Sequence, residues 1–160
     1  MKSIKLSLLA VALLVLLSAC KANISRNDDG TLTVETVISQ AQLQEVISSS
    51  IADPLIKELN VSLQSGYVSV TGTRQRLNDA SKTDSMSFRL DLGVSNGDLT
   101  ATISNAEIDG IAIESNRVDN WNQTIANRLA IISGRTSRNA TLQSVSVTPE
   151  QVTMTWVTQK

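Results

Sequence analysis

From Met86 to Ile103 the chain alternates apolar and polar residues with a period of two, and the alternation turns back on itself at Asn96-Gly97. Met86, Phe88, Leu90, Leu92 and Val94 lie on one side of the turn, and Leu99, Ala101 and Ile103 on the other. Asn-Gly between two such runs is the strongest short hairpin signal, because a two-residue turn of matching twist needs positive φ at both positions. The polar positions carry Ser, Thr, Arg and Asp, so each strand has one dry edge and one wet edge. Antiparallel sheets with a solvated face give that pattern; parallel sheets buried on both sides do not. A second hairpin is read over Val61, Leu63, Ser65-Gly66 and Tyr67 to Thr73, and a further turn at Asp109-Gly110. Thr31 to Val37 alternates briefly, as a short strand or an extended lead-in, and Leu142, Val145 and Val147 form one strand and Val152, Met154 and Trp156 another around Thr148-Pro149-Glu150.

A sheet with a dry face must be covered, and two segments change to helical spacing. Ser39 with Gln42 three residues on is a capping box. Beyond it Leu43, Val46, Ile47, Ile51, Leu55, Ile56 and Leu59 recur at three and four. This predicts a helix over about 40–58, broken or restarted at Pro54 with Asp53 as a second cap. Val118, Trp121, Ile125, Leu129 and Ile132 repeat the pattern over 117–133, capped at Ser115 or Asn116 and ended by Gly134. The expected fold is α+β: a curved antiparallel β-sheet with two amphipathic helices packed on its apolar face, in a single domain over 31–160.

Composition narrows the chemistry. The chain has one cysteine and no histidine, which removes disulfides, the usual nucleophilic triads, and the commonest metal ligands. A Ser81–Lys82 dyad lies in a polar loop, where an activated, desolvated amine is not expected. Asp109 and Glu114 are the nearest approach to a carboxylate pair, and surface solvation explains them more simply. Arg74, Arg76 and Lys82 in one loop, with Arg135 and Arg138 in another, suit either a phosphate headgroup or plain solvent. Asp28-Asp29 lacks the rest of a calcium loop. No basic cluster points to nucleic acid. The expectation is a protein that is not an enzyme, with no metal and no cofactor.

The N-terminus sets the compartment. Lys2 and Lys5 precede an apolar run from Leu6 to Leu17, shorter than the roughly 20 residues of a membrane span. With the small residues that follow, this is a secretory signal. Leu17-Ser18-Ala19-Cys20 resembles the lipobox of bacterial lipoproteins. The resemblance implies a signal peptide at 1–19, acylation of Cys20, and a membrane partner through the diacylglyceryl and acyl anchor. The protein is then expected lipid-anchored on the extracytoplasmic side of the cell membrane; Lys21 leaves the choice of inner or outer membrane open. Residues 20–30 read as the acylated cysteine and a polar tether. Removal of the signal takes the formal charge of −1 to about −3.

Three further stretches carry a family likeness. Val37 to Ile47, Leu59 to Gly72 and Arg117 to Leu129 resemble the early helix, first hairpin and second helix of LmeA-like phospholipid-binding domains, within the tubular lipid-binding (TULIP) superfamily. The resemblance implies a half-TULIP-like sheet curled on its helices, with an apolar groove for acyl chains. The residues that would line it are Leu43, Ile47, Ile51 and Leu55 on the first helix, with Trp121, Ile125 and Leu129 on the second. Pro54 departs from the pattern and would shorten such a groove. The implied function is binding or transfer of an apolar ligand, of the class of phospholipid acyl chains. The alternative is a structural or adaptor envelope lipoprotein whose wet sheet face or edge binds another protein of unknown identity. A continuous groove lined by Ile47, Ile51, Trp121 and Ile125 favours the first; a filled core favours the second.

Overall fold

The computed structural model describes residues 21–135 and 139–158. The signal segment and Cys20 lie outside the described residues, as does Arg138. In chain order the elements are β1 (Lys21–Arg26), β2 (Leu32–Ser39), α1 (Gln40–Ser50), β3 (Ile56–Gln64), β4 (Tyr67–Gln75) and β5 (Thr83–Ser95). They continue with β6 (Asp98–Ile108), β7 (Ile111–Ala112), α2 (Ser115–Ile132), β8 (Ala140–Val147) and β9 (Gln151–Thr158). The class is α+β, as expected. The strands divide into a four-stranded sheet, β1-β2-β9-β8, and a five-stranded sheet, β3-β4-β5-β6-β7, with antiparallel pairing throughout.

β8 joins the two sheets. The Leu142 amide donates to the Gly97 carbonyl at 2.7 Å, and the Gly66 amide donates to the Val147 carbonyl at 3.0 Å. The turns of the β3–β4 and β5–β6 hairpins thus sit against the outer edge of β8. Asn96 (φ 53°) and Gly97 (φ 81°) make the positive-φ pair that the hairpin requires. The helices close the other two edges of the five-stranded sheet. From α1 the Gln44 amide donates to the Leu59 carbonyl, while its oxygen accepts from the Val61 amide at 2.8 Å on β3. From α2 the Asn122 oxygen accepts from the Ile103 amide of β6 at 2.8 Å. Edge groups left open invite a foreign strand, and these two side chains occupy them.

Two expectations need correction. Residues 21–26 are not tether but strand β1, paired with β2 from Lys21–Val37 to Arg26–Leu32. Ala22 to Arg26 are all exposed, so this edge strand has no dry side to leave a periodic trace; backbone hydrogen bonds alone define it. Only the turn beyond is irregular, and there Asp29 accepts from the Thr31 amide and hydroxyl at 2.9 and 2.7 Å. The first helix ends at Ser50, not near residue 58. The residue before a proline is disfavoured in the helical region. Asp53 ahead of Pro54 instead accepts from the Leu55 amide at 2.9 Å in a tight turn. Ile56 and Leu59 then belong to β3, where spacing by three matched the helical pattern by coincidence.

The other boundaries fall close to their signals. Ser39 and Gln42 form the capping box reciprocally. On α2 the cap position is Glu114, which makes no side-chain cap bond. Gly134 (φ 106°) ends that helix, and the Arg135 amide returns to the Ala130 carbonyl at 3.0 Å, a Schellman closure. One core joins both sheets and both helices. Trp156, Ile38, Leu43, Ile47, Leu90, Ile125, Leu129 and Met154 are among its fully buried side chains. No buried side-chain nitrogen or oxygen among the described residues lacks a partner.

The hairpin turn offers a test of how the sheets are held together. A Cβ at Gly97 would lie 2.4 Å from the Thr141 methyl of β8, whereas one at Gly110 (φ 77°) meets nothing within 4 Å. Left-handed backbone costs a non-glycine residue about 1–2 kcal/mol. Gly110→Ala should lose about that much in chemical denaturation, and Gly97→Ala clearly more, because β8 must also shift. Equal losses would show that the turn does not bear on β8.

Candidate functional site

The residues expected to line an acyl groove lie together, but inside a filled core. Leu43, Ile47, Ile125 and Leu129 are fully buried, and Ile51 and Trp121 are no more than 5% exposed. They pack in one cluster with Val68, Leu90, Met154 and Trp156 from the two sheets, and Trp121 meets Phe88 at 6.3 Å between ring centres. Leu55 is half-buried in the turn before β3 and is not on a helix. None of the seven lines any of three surface depressions, of about 480, 310 and 470 Å³.

The depression of about 480 Å³ gathers charges that lie far apart in sequence: Arg76, Asp84, Asp109, Glu114 and Arg117. Asp109 and Glu114 do come together here, yet Asp109 is occupied by Arg76 at 3.3 Å. Arg76 also bonds Asp84, which holds the guanidinium more firmly protonated than usual through that hydrogen bond and charge. Beneath the rim, Asp53 accepts from Arg74 Nε at 2.8 Å and from Arg117 Nη2 at 2.9 Å. Its side chain is only 6% exposed. Burial by itself raises the Asp53 pKa; the bonds from Arg74, the Leu55 amide and Arg117 outweigh it and hold the carboxyl below its usual range. Asp53 thereby pins the α1–β3 turn to β4 and to the first turn of α2.

The other loop cations are also engaged within the chain. Lys82 pairs with Asp79 at 3.1 Å, and Arg135 with Asp98 at 3.1 Å. Ser81 donates to the same Asp79 at 2.6 Å. That carboxyl sits below its usual range because Ser81 and Lys82 bond it. The Ser81–Lys82 pair is therefore two donors on one carboxylate, not a nucleophile and its base. Among the described residues no group of three or more His, Cys, Asp or Glu is placed to hold a metal ion.

The feature that stands apart is on the wet face of the five-stranded sheet. Ser69 pairs with Arg89 and with Ser62, Thr71 with Ser87, and Asp91 with Thr102, so Ser and Thr tile the surface. Within it Arg89 lies over the Tyr67 ring, 4.0 Å from its centre. The same guanidinium grips Asp91 with Nε at 2.8 Å and Nη2 at 2.6 Å. The Arg89 and Asp91 side chains are 45% and 39% exposed. Alternation along β5 already puts Arg89 and Asp91 on one face. Tyr67 is 22 positions earlier and joins them only through the β4–β5 register, which sequence patterns do not specify.

A smaller groove of about 310 Å³ runs between the helices, with Val46 and Glu45 on one wall and Arg128, Ile131 and Ile132 on the other. Arg128 donates across it to the Ser49 hydroxyl at 2.9 Å. Among the described residues no helix is long and apolar enough to cross a membrane. No family model, curated protein or solved structure matches the chain.

Asp53 gives this region a pH signature. A carboxyl whose pKa is depressed on folding adds stability that is complete above the ordinary value of about 4 and is lost as pH falls through the lowered one. Asp53→Asn should therefore lower Tm by several degrees at pH 7, with the gap to the parent protein closing below about pH 4. A gap independent of pH would show that the carboxylate charge is not what pins the turn.

Proposed function

We propose that this protein is a bacterial lipoprotein, acylated on Cys20 and held on the extracytoplasmic side of the cell membrane. We infer that its folded domain is a non-catalytic adaptor, which binds another envelope protein through the polar face of the five-stranded sheet. The observation that carries this reading is a contrast. The apolar residues suited to an acyl groove are consumed by the core, while Arg89 and Asp91 are exposed on the polar face and assembled on a half-buried Tyr67 ring.

Tyr and Arg are the residue types that dominate the energetics of protein interfaces. Arg89 is already fixed by its ring contact and its hydrogen bonds to Asp91, so little side-chain entropy is lost on docking. As an exposed ion pair it adds little to folding, which leaves its placement without a stability rationale. Carriage of a phospholipid, the function implied by the likeness to LmeA-like domains, would require α1 and α2 to part from the sheets they seal.

A photo-crosslinking residue at Ser87, exposed and two positions from Arg89 on the same face, tests the adaptor in producing cells. One discrete protein adduct is expected, lost on Arg89→Ala, while the stability of that variant changes by no more than about 0.5 kcal/mol. Native mass spectrometry of the same protein is the counter-test. A stoichiometric phospholipid beyond the anchor, with no adduct from Ser87, would overturn the adaptor in favour of lipid carriage.

A further inference from the structure

Four large apolar side chains remain exposed around the C-terminal end of α2: Ile24 (68%), Leu32 (40%), Ile131 (69%) and Ile132 (37%). Strand register places the first two. Ile24 stands opposite Val34, and Leu32 stands opposite Arg26, so Ile24, Leu32, Val34 and Thr36 share one face of the four-stranded sheet. That face is the one on which α2 ends. The Thr36 hydroxyl donates to the Ser133 carbonyl at 2.6 Å, and a Cβ at Gly134 would lie 3.7 Å from Val34 Cγ1. Ile131 and Ile132 come immediately before, on the wall of the groove between the helices. Ile24 is one strand beyond Val34, about 5 Å further out. The sheet's inner face thus runs past the helix that covers it.

The occupant follows from where the chain goes next. β1 begins at Lys21, adjacent in sequence to Cys20, and Lys21 is already paired with Val37. No linker separates the acylated residue from the sheet. Four residues span at most about 14 Å, so Ile24 cannot leave the neighbourhood of an anchored Cys20. We propose that this face, carrying Ile24, Leu32, Ile131 and Ile132, rests in the interfacial zone of the bilayer that holds the anchor. The inference rests on the acylation of Cys20 proposed above.

An apolar patch too small to bind a membrane alone acts as the second signal once an acyl chain supplies a high local concentration. The surrounding charges are of both signs. Arg26 and Arg128 are offset by Glu45 and by Asp28 and Asp29 in the β1–β2 turn. Contact is therefore apolar insertion, with no need for anionic lipid. The helices lie on the dry side of the five-stranded sheet, so this orientation turns the Tyr67–Arg89–Asp91 face away from the membrane.

The test uses the full acylated chain in vesicles of phosphatidylcholine alone. The chain has one cysteine, and acylation blocks it, so a nitroxide attaches only to an introduced thiol. Labels on Ile24→Cys and Ile131→Cys should be relaxed by oxygen and shielded from a water-soluble nickel complex, with the reverse for Ser87→Cys. Adding Ile132→Glu to the Ile24→Cys protein should restore nickel access while circular dichroism stays unchanged. Equal nickel access at all three positions, with the acyl mass present on Cys20, would overturn the orientation and leave the anchor standing. Absence of the acyl mass would overturn both.

Discussion

The arrangement depends on how the last turn of α2 is locked to the four-stranded sheet. Ser133 is fully buried, and it takes part in three long- and short-range bonds at once. Its carbonyl accepts from Thr36 on β2, its hydroxyl accepts from the indole of Trp156 on β9 at 3.1 Å, and that hydroxyl donates to Ala130 at 3.2 Å. A buried indole or hydroxyl without a partner costs about 1–3 kcal/mol. The three groups therefore stay dry only together. With so few aromatics, most of the core is aliphatic and interchangeable in packing terms; this polar triangle fixes where the end of the helix docks on the sheet.

Closure at that point has consequences on both sides of the molecule. Inside, α1 and α2 are drawn onto one core shared by two sheets, which leaves Ile47, Ile51, Trp121 and Ile125 no room to form a groove. Outside, the helix stops short of the sheet margin, and Ile24 and Leu32 are left uncovered. The amides of Gln44 and Asn122 occupy strand edges on the five-stranded sheet. Its polar face is then the broad regular surface on the side opposite the helices. A domain with exposed apolar residues at one margin and a wet sheet face elsewhere has a built-in sidedness.

Much of this was legible in local patterns. The Asn96-Gly97 hairpin, the Ser39–Gln42 capping box, the Gly134 stop and the final strand pair all follow from residues within a few positions of each other. Elements whose signal is not local were misread. β1 is defined by pairing alone, since Ala22 to Arg26 are all exposed and leave no periodic trace. The α1–β3 boundary was masked because Ile56 and Leu59 satisfy two periods at once, and the Asp53 turn that decides between them draws on Arg74 and Arg117 from other elements.

The candidate site shows the same division. Periodicity identified Leu43, Ile47, Trp121, Ile125 and Leu129 as the inward faces of helices, because amphipathic spacing reports which side is dry. It does not report whether that dry side meets a ligand or another element, since both remove the same surface from water. The sequence by itself determined the α+β class, the hairpins, the single cysteine and lack of histidine, and the lipobox likeness at Cys20. Only the tertiary structure decided that the inward faces seal one core, that Arg89 meets Tyr67, and that Ile24 stands opposite Val34 on the sheet face where α2 ends. Those outcomes depend on strand register and helix docking, which bring together residues too far apart for any local preference to couple.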